Sequence, residues 1–104
     1  MRKLSLHILE EHFANDFSSP VFILLADRYY HKKQYKKAEK VCSIGLERDS
    51  NNYIGLYILA KIHLINNKLK KAEKLLISVV NNDVNNINAL ITLIEVSIKL
   101  NRSH

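Results

Sequence analysis

An all-α protein of antiparallel helix–turn–helix pairs is the fold class this sequence predicts, and three observations lead there. The 104-residue chain contains two Gly and one Pro, far fewer breakers than a turn-rich β architecture needs. Its apolar residues recur at helical rather than alternating spacing. Finally, the phrase YKKAEK at 35–40 returns as LKKAEK at 69–74, 34 positions later.

The repeat extends beyond that phrase. When residues 19–52 are aligned with 53–86, Leu25/Leu59 and Ala26/Ala60 match, as do Lys36 to Lys40 with Lys70 to Lys74, and Asp49/Asp83, Asn51/Asn85 and Asn52/Asn86. Similar pairs accompany them: Phe22/Leu56, Leu24/Ile58, Tyr35/Leu69, Val41/Leu75 and Cys42/Leu76. A lysine-rich composition produces chance lysine matches, but it does not carry the flanking apolar positions along.

The elements follow in order. Residues from about 3 to 15 form a polar N-terminal helix, and 1–18 constitute a packing segment ahead of the repeats. In the unit 19–52, the first helix spans 20–31, with Val21, Phe22, Leu24, Leu25, Ala26, Tyr29 and Tyr30 at helical spacings. Ser18-Ser19-Pro20 supplies its start, a hydroxyl for the free amides and a ring pre-set for the first helical position. Lys32-Lys33 is a polar break. The second helix, 34–48, stripes Ala38, Val41, Cys42, Gly45 and Leu46 along one face, and Asp49 to Asn52 close the unit. The unit 53–86 repeats the plan with helices near 53–65 and 68–81, a break at Asn66-Asn67 and a turn at Asn82 to Asn86. An apolar helix over 87–100 lies in the last segment, 87–104, a half repeat or a capping or interface helix. The reading expects about five helices.

A 34-residue helix–turn–helix period marks the tetratricopeptide repeat, and these residues resemble that family. Its pattern, counted from Ser19, asks for a bulky residue fourth, Leu seventh, a small residue eighth and an aromatic eleventh; Phe22, Leu25, Ala26 and Tyr29 stand there. Small residues at the twentieth and twenty-seventh places are Ala38 and Gly45. Cys42 replaces the aromatic at the twenty-fourth and Ser50 the Pro at the thirty-second. The second unit matches at Leu56, Leu59, Ala60, Ala72 and Leu76, with His63 in place of the aromatic. The third begins with Leu90 and Leu93, but Ile94 stands where a small residue is expected. The resemblance covers roughly 19–100 and implies a short right-handed α-solenoid of stacked helix pairs. Ala38 and Ala72 then mark close helix crossings, so the repeated phrase is packing grammar and not a catalytic motif.

The family holds peptides or partner helices on an inner wall lined by first helices. Carried across by position, that resemblance implies a groove of Ile23, Asp27 and Tyr30, then Tyr57, Lys61 and Leu64, then Ile91 and Glu95, with Ile98 beside them. The subgroup that captures acidic chaperone tails uses Lys, Asn and Arg there; Ile23, Asp27, Ile58, Asn88 and Thr92 occupy those places. The expected partner is therefore a protein or peptide presenting an apolar or amphipathic segment. The alternative is a homodimer or larger scaffold. The helix 87–100 is apolar on more than one face, and Ile87, Ile91, Ile94 and Ile98 are its interface candidates. A basic edge of Lys33, Lys36, Lys37, Lys70 and Lys71 is best read as a solvated surface. No aromatic stacking set or Arg set accompanies it, so nucleic acid is not an expected partner.

Composition is consistent with such a module. Apolar residues make up 47% and charged ones 25%, ordinary values for one globular domain. A net charge of +6 permits acidic partners without naming one, and the Asn, Ile and Lys bias is one that AT-rich codons produce alone. The single Cys42 excludes an internal disulfide and fits a reducing compartment. The apolar run after Met1-Arg2-Lys3 breaks at His7 and ends at Glu10-Glu11, too short for a signal-peptide core. No stretch approaches 18 apolar residues, so no transmembrane segment is expected and the cytoplasm is the expected location. No catalytic residue, metal site or cofactor is expected. His7 and Glu11 lie one helical turn apart without a second ligand pair, Cys42 falls at a packing position, His31 and His63 lack triad partners, and two glycines cannot make a phosphate loop. The chain reads as a non-catalytic interaction module.

Overall fold

The computed structural model describes residues 5–102, and among these it contains six helices and no strand. They are α1 (Leu6–Asn15), α2 (Val21–His31), α3 (Tyr35–Arg48), α4 (Tyr53–Ile65), α5 (Leu69–Asn82) and α6 (Ile87–Arg102). The expected count of about five is one too low, because two helix pairs plus a helix at each end make six. Residues 3 and 4 of the expected first helix lie outside the described residues. α1 begins at Leu6, where Ser5 Oγ accepts the amide of Ile8 at 3.2 Å.

Local chemistry sets each boundary. α2 starts one residue later than expected: Ser19 Oγ accepts the Val21 amide at 3.2 Å, while Ser18 is held by Asp16 Oδ1 at 3.0 Å through its own amide. α4 and α6 are capped alike. Asn52 Oδ1 accepts the Gly55 amide at 3.1 Å, and 34 positions on Asn86 Oδ1 accepts the Ala89 amide at 3.0 Å. Each satisfies an amide that a helix start leaves free. The breaks after α2 and α4 also coincide. Lys33 (φ 62°) and Asn67 (φ 59°) are both left-handed. Gln34 N donates to Tyr29 O at 2.9 Å and Lys68 N to His63 O at 2.8 Å. That six-to-one bond over a left-handed residue is a Schellman ending.

α2 packs on α3 and α4 on α5, and consecutive pairs join through α2–α4 and α3–α4 contacts; α1 covers α2, and α6 covers α5. The first helices α2 and α4 thus touch directly while α3 and α5 have no comparable contact, in a body of 45 × 28 × 25 Å. Ala26, Ala38, Ala60 and Ala72 are all fully buried, the small residues that close crossings need. One buried cluster gathers Leu9 and Phe13 with Phe22, Leu25, Cys42, Ile58 and Ile62. A second gathers Ala60, Leu76, Val79, Ala89 and Val96. Gly45 is fixed by a close approach: a Cβ there would lie 2.2 Å from the Phe22 ring. At the matching places of the next unit, 34 positions on, stand Leu56 and Val79, a smaller residue opposite a larger one. The division of side-chain volume between the two helices thus changes from one unit to the next.

Candidate functional site

The first-helix wall is centred on a lysine held between two tyrosines. Lys61 Nζ, from α4, lies 4.6 Å from the centroid of the Tyr30 ring on α2 and 4.9 Å from that of Tyr57 on α4. Cation–π pairs of this kind are worth about 0.5–2 kcal/mol, more when desolvated. Tyr35 stands edge-on to Tyr30 at 5.6 Å. Burial pushes the Tyr30 phenol above its ordinary pKa, with Tyr35, Tyr57 and Asp27 adding to the shift. Thr92 Oγ1 donates to Asn88 O at 2.8 Å, so in its 3.3 Å contact with Tyr57 it accepts from the phenol. Three first helices are thereby linked along one wall.

The remaining sequence-predicted groove residues divide. Ile23 packs against the first core cluster and Leu64 against the second. Asp27 pairs with His31 one turn away at 3.4 Å. Ile91 is half exposed and Glu95 exposed. Tyr35 was missed as a wall residue, because the sequence places it on a second helix, and the contact of Thr92, already among the clamp places, with Tyr57 was not foreseen.

α6 leaves its predicted interface residues bare: Ile87 is 68% exposed, Ile91 49%, Ile94 51% and Ile98 45%. Ile94 sits where Ala26 and Ala60 are fully buried under a second helix.

The five lysines of the basic edge are all exposed, at the turn after α2 and the first turns of α3 and α5. Those first turns contain no acidic residue and no side-chain cap, so the lysines add to the positive ends of two helix dipoles. Beside them lie three open depressions. One, about 280 Å³, is lined by Phe13, Tyr29, Lys37, Lys40, Val41 and Ile44. Another, about 230 Å³, is lined by Leu59, His63, Lys71, Lys74 and Leu75. The third, about 410 Å³, lies between the α5 start and Leu100. Tyr29 donates its hydroxyl to the Glu10 carboxylate, and burial, with that bond, pushes its phenol up to about 12. His63 Nδ1 is buried without a hydrogen-bond partner, 3.9 Å from Glu39 Oε2. Burial holds this imidazole below its usual pKa; Glu39 opposes the shift, and Lys68 and Lys71 reinforce it.

The other chemistry-bearing residues sit in plain settings. His7 and Glu11 form an exposed pair at 3.1 Å. Cys42 is fully buried, its thiol pushed up to about 12 by burial and by Glu39, which leaves it unreactive in the folded state. No helix among the described residues is long and apolar enough to cross a membrane.

No family model matches the chain, and no curated protein sequence does. Solved structures do. A structure described as the first tetratricopeptide repeat (TPR) domain of Spaghetti (RPAP3) bound to an HSP90 peptide, SRMEEVD, superposes with a TM-score of 0.85 at 20% identity, covering 91% of this chain and 76% of that one. The chain has the tetratricopeptide-repeat fold. YrrB, described as a TPR protein with an unusual peptide-binding site, gives the same TM-score at 15% identity, covering 93% of this chain and 50% of that one. At these identities the likeness establishes the TPR fold and leaves the ligand to the side chains.

Proposed function

We propose that this chain is a non-catalytic interaction module whose first-helix wall binds a peptide or helix, as a TPR groove does. The observation that supports it most is Lys61 held between Tyr30 and Tyr57, beside the half-exposed Ile91. Two amphipathic rings and an apolar residue suit an apolar or amphipathic segment, and Lys61 offers such a segment one carboxylate contact. Both solved neighbours are peptide-binding proteins by their descriptions. The acidic-tail clamp positions hold Ile23, Asp27, Ile58, Asn88 and Thr92, so an amphipathic helix is the better ligand than a tail such as the one bound to RPAP3.

Selection from a random peptide library, followed by titration of the winners, tests this. Tyr30→Ala with Tyr57→Ala should weaken binding about tenfold, or about 1.4 kcal/mol. Selected peptides that bind the double variant equally well would end the groove reading.

A second reading is favoured by the exposure of α6. Ile87, Ile91, Ile94 and Ile98 are spaced four, three and four residues apart, the seam spacing of a helix that packs lengthwise on another. Self-association through this seam would cover Ile91 and close one end of the groove. Light scattering across a concentration range decides it: a dimer that becomes a folded monomer with Ile94→Lys and Ile98→Lys supports the seam. A monomer at high concentration rejects it.

A further inference from the structure

We infer that the opposite face, along the second helices, carries a two-pocket docking site for an extended acidic peptide with two apolar side chains three residues apart. This does not rest on the groove reading. Two of the depressions are the same structure built twice. Tyr29, Lys37, Lys40 and Val41 line one, and the residues exactly one repeat on, His63, Lys71, Lys74 and Leu75, line the other. Each offers an apolar floor, a ring and two lysines at the rim. The first depression opens where α1 does not pack closely on α3, and the second beside α5, which does not pack closely on α3.

Size and charge select the occupant. Both depressions fall below the roughly 300 Å³ at which small-molecule sites begin, so each suits a single apolar side chain. Among the described residues none of Lys37, Lys40, Lys71 and Lys74 forms an ion pair, although Lys37 Nζ lies 5.6 Å from the Tyr29 ring centroid. The nearby carboxylates are already engaged or set back: Glu10 accepts from Tyr29, and Glu39 is half-buried near His63. Four lysines without carboxylate partners around apolar floors complement acidic residues that flank apolar ones. A phosphate backbone has no side chain for the floors.

Spacing sets the ligand's form. Because α2 and α4 touch, successive units are offset by about one helix-packing distance, roughly 10 Å. A polyproline-II strand returns to the same side every third residue, about 9 Å on. A Leu-Glu-Glu-Leu core therefore places a leucine over each depression and its glutamates between the lysine pairs.

The test is fluorescence polarisation with a labelled acidic peptide of about twelve residues containing that core. Lys37→Glu with Lys71→Glu, two exposed changes whose helix content is checked by circular dichroism, should weaken binding roughly tenfold or more. Replacing either leucine of the peptide by serine should weaken it similarly, and Tyr57→Ala on the first-helix wall should leave it unchanged. No measurable binding, equal binding of a leucine-free acidic peptide, or equal displacement by single-stranded DNA would each overturn the proposal. Loss of binding with Tyr57→Ala but not with the lysine variant would place the peptide on the other wall and overturn it too.

Discussion

At Gly45 a single hydrogen atom separates a packed core from a clash. Alanine is the better helix former by about 1 kcal/mol, yet its Cβ would meet the Phe22 ring at 2.2 Å, and overpacking costs about 1–3 kcal/mol. Gly45→Ala should therefore lower stability by about 1 kcal/mol. Adding Phe22→Leu should recover most of that loss, since Leu56 and Val79 occupy the matching places 34 positions on. A double-mutant cycle from chemical denaturation measures the coupling. His63 has a pH signature of its own. Its folded pKa lies below its unfolded one, so as pH falls below the ordinary histidine value, about 6.5, the unfolded state takes up the proton first. Its effect on stability is nil above that value and is a loss below it. The fall in melting temperature between pH 7.5 and 5.5 should be shallower in His63→Phe; an identical slope would show that the imidazole titrates freely.

Among elements, the turns after α2 and α4 adopt one geometry without the residue that geometry prefers. Lys33 holds a left-handed backbone that costs a side chain roughly 1–2 kcal/mol, while Asn67 tolerates it better. Lys33→Gly should stabilise the fold by about 1 kcal/mol and Asn67→Gly by less, read from thermal denaturation. These turns show where the sequence is legible and where it is not. The turns that precede α4 and α6 could be located because the same Asn recurs at 52 and 86, and the close crossings because Ala recurs at 38 and 72. The left-handed residues could not, since neither is Gly and they differ from each other. The paired depressions stayed hidden for the same reason: Tyr29 and His63 are unlike in chemistry, and only the fold shows that they fill one role. Lys61 reads as an isolated charge until α2 and α4 are brought together.

Across the whole molecule, cohesion falls toward the ends, and α1 buries only Leu9 and Phe13. α2, α3 and α4 each bury four residues, whereas α6 buries Ala89 and Val96 alone and packs mainly on α5. In a stacked array each element draws stability from its neighbours, so an end with one neighbour opens at lower free energy. Hydrogen exchange should show α6 amides least protected among α2 to α6 and those of α2 to α4 most. If α6 is instead protected as strongly as α4 and its protection rises with concentration, the seam of isoleucines is covered by a second copy. That distinction belongs to this scale, because nothing in a single helix tells a bare face from one awaiting its partner.

Cys42 lies in the cohesive middle of the array, fully buried with its thiol near a backbone carbonyl, Sγ to Gly55 O at 3.8 Å. It is also the only cysteine in the chain. Chemistry therefore supplies a built-in stopwatch with no label engineered in. A thiol reagent reaches Cys42 only when α2, α3 and α4 part, so the modification rate counts those openings and is blind to fraying of α6. Set beside an optical signal from all the helices, that one reaction would show whether the array comes apart as a unit or from its ends inward.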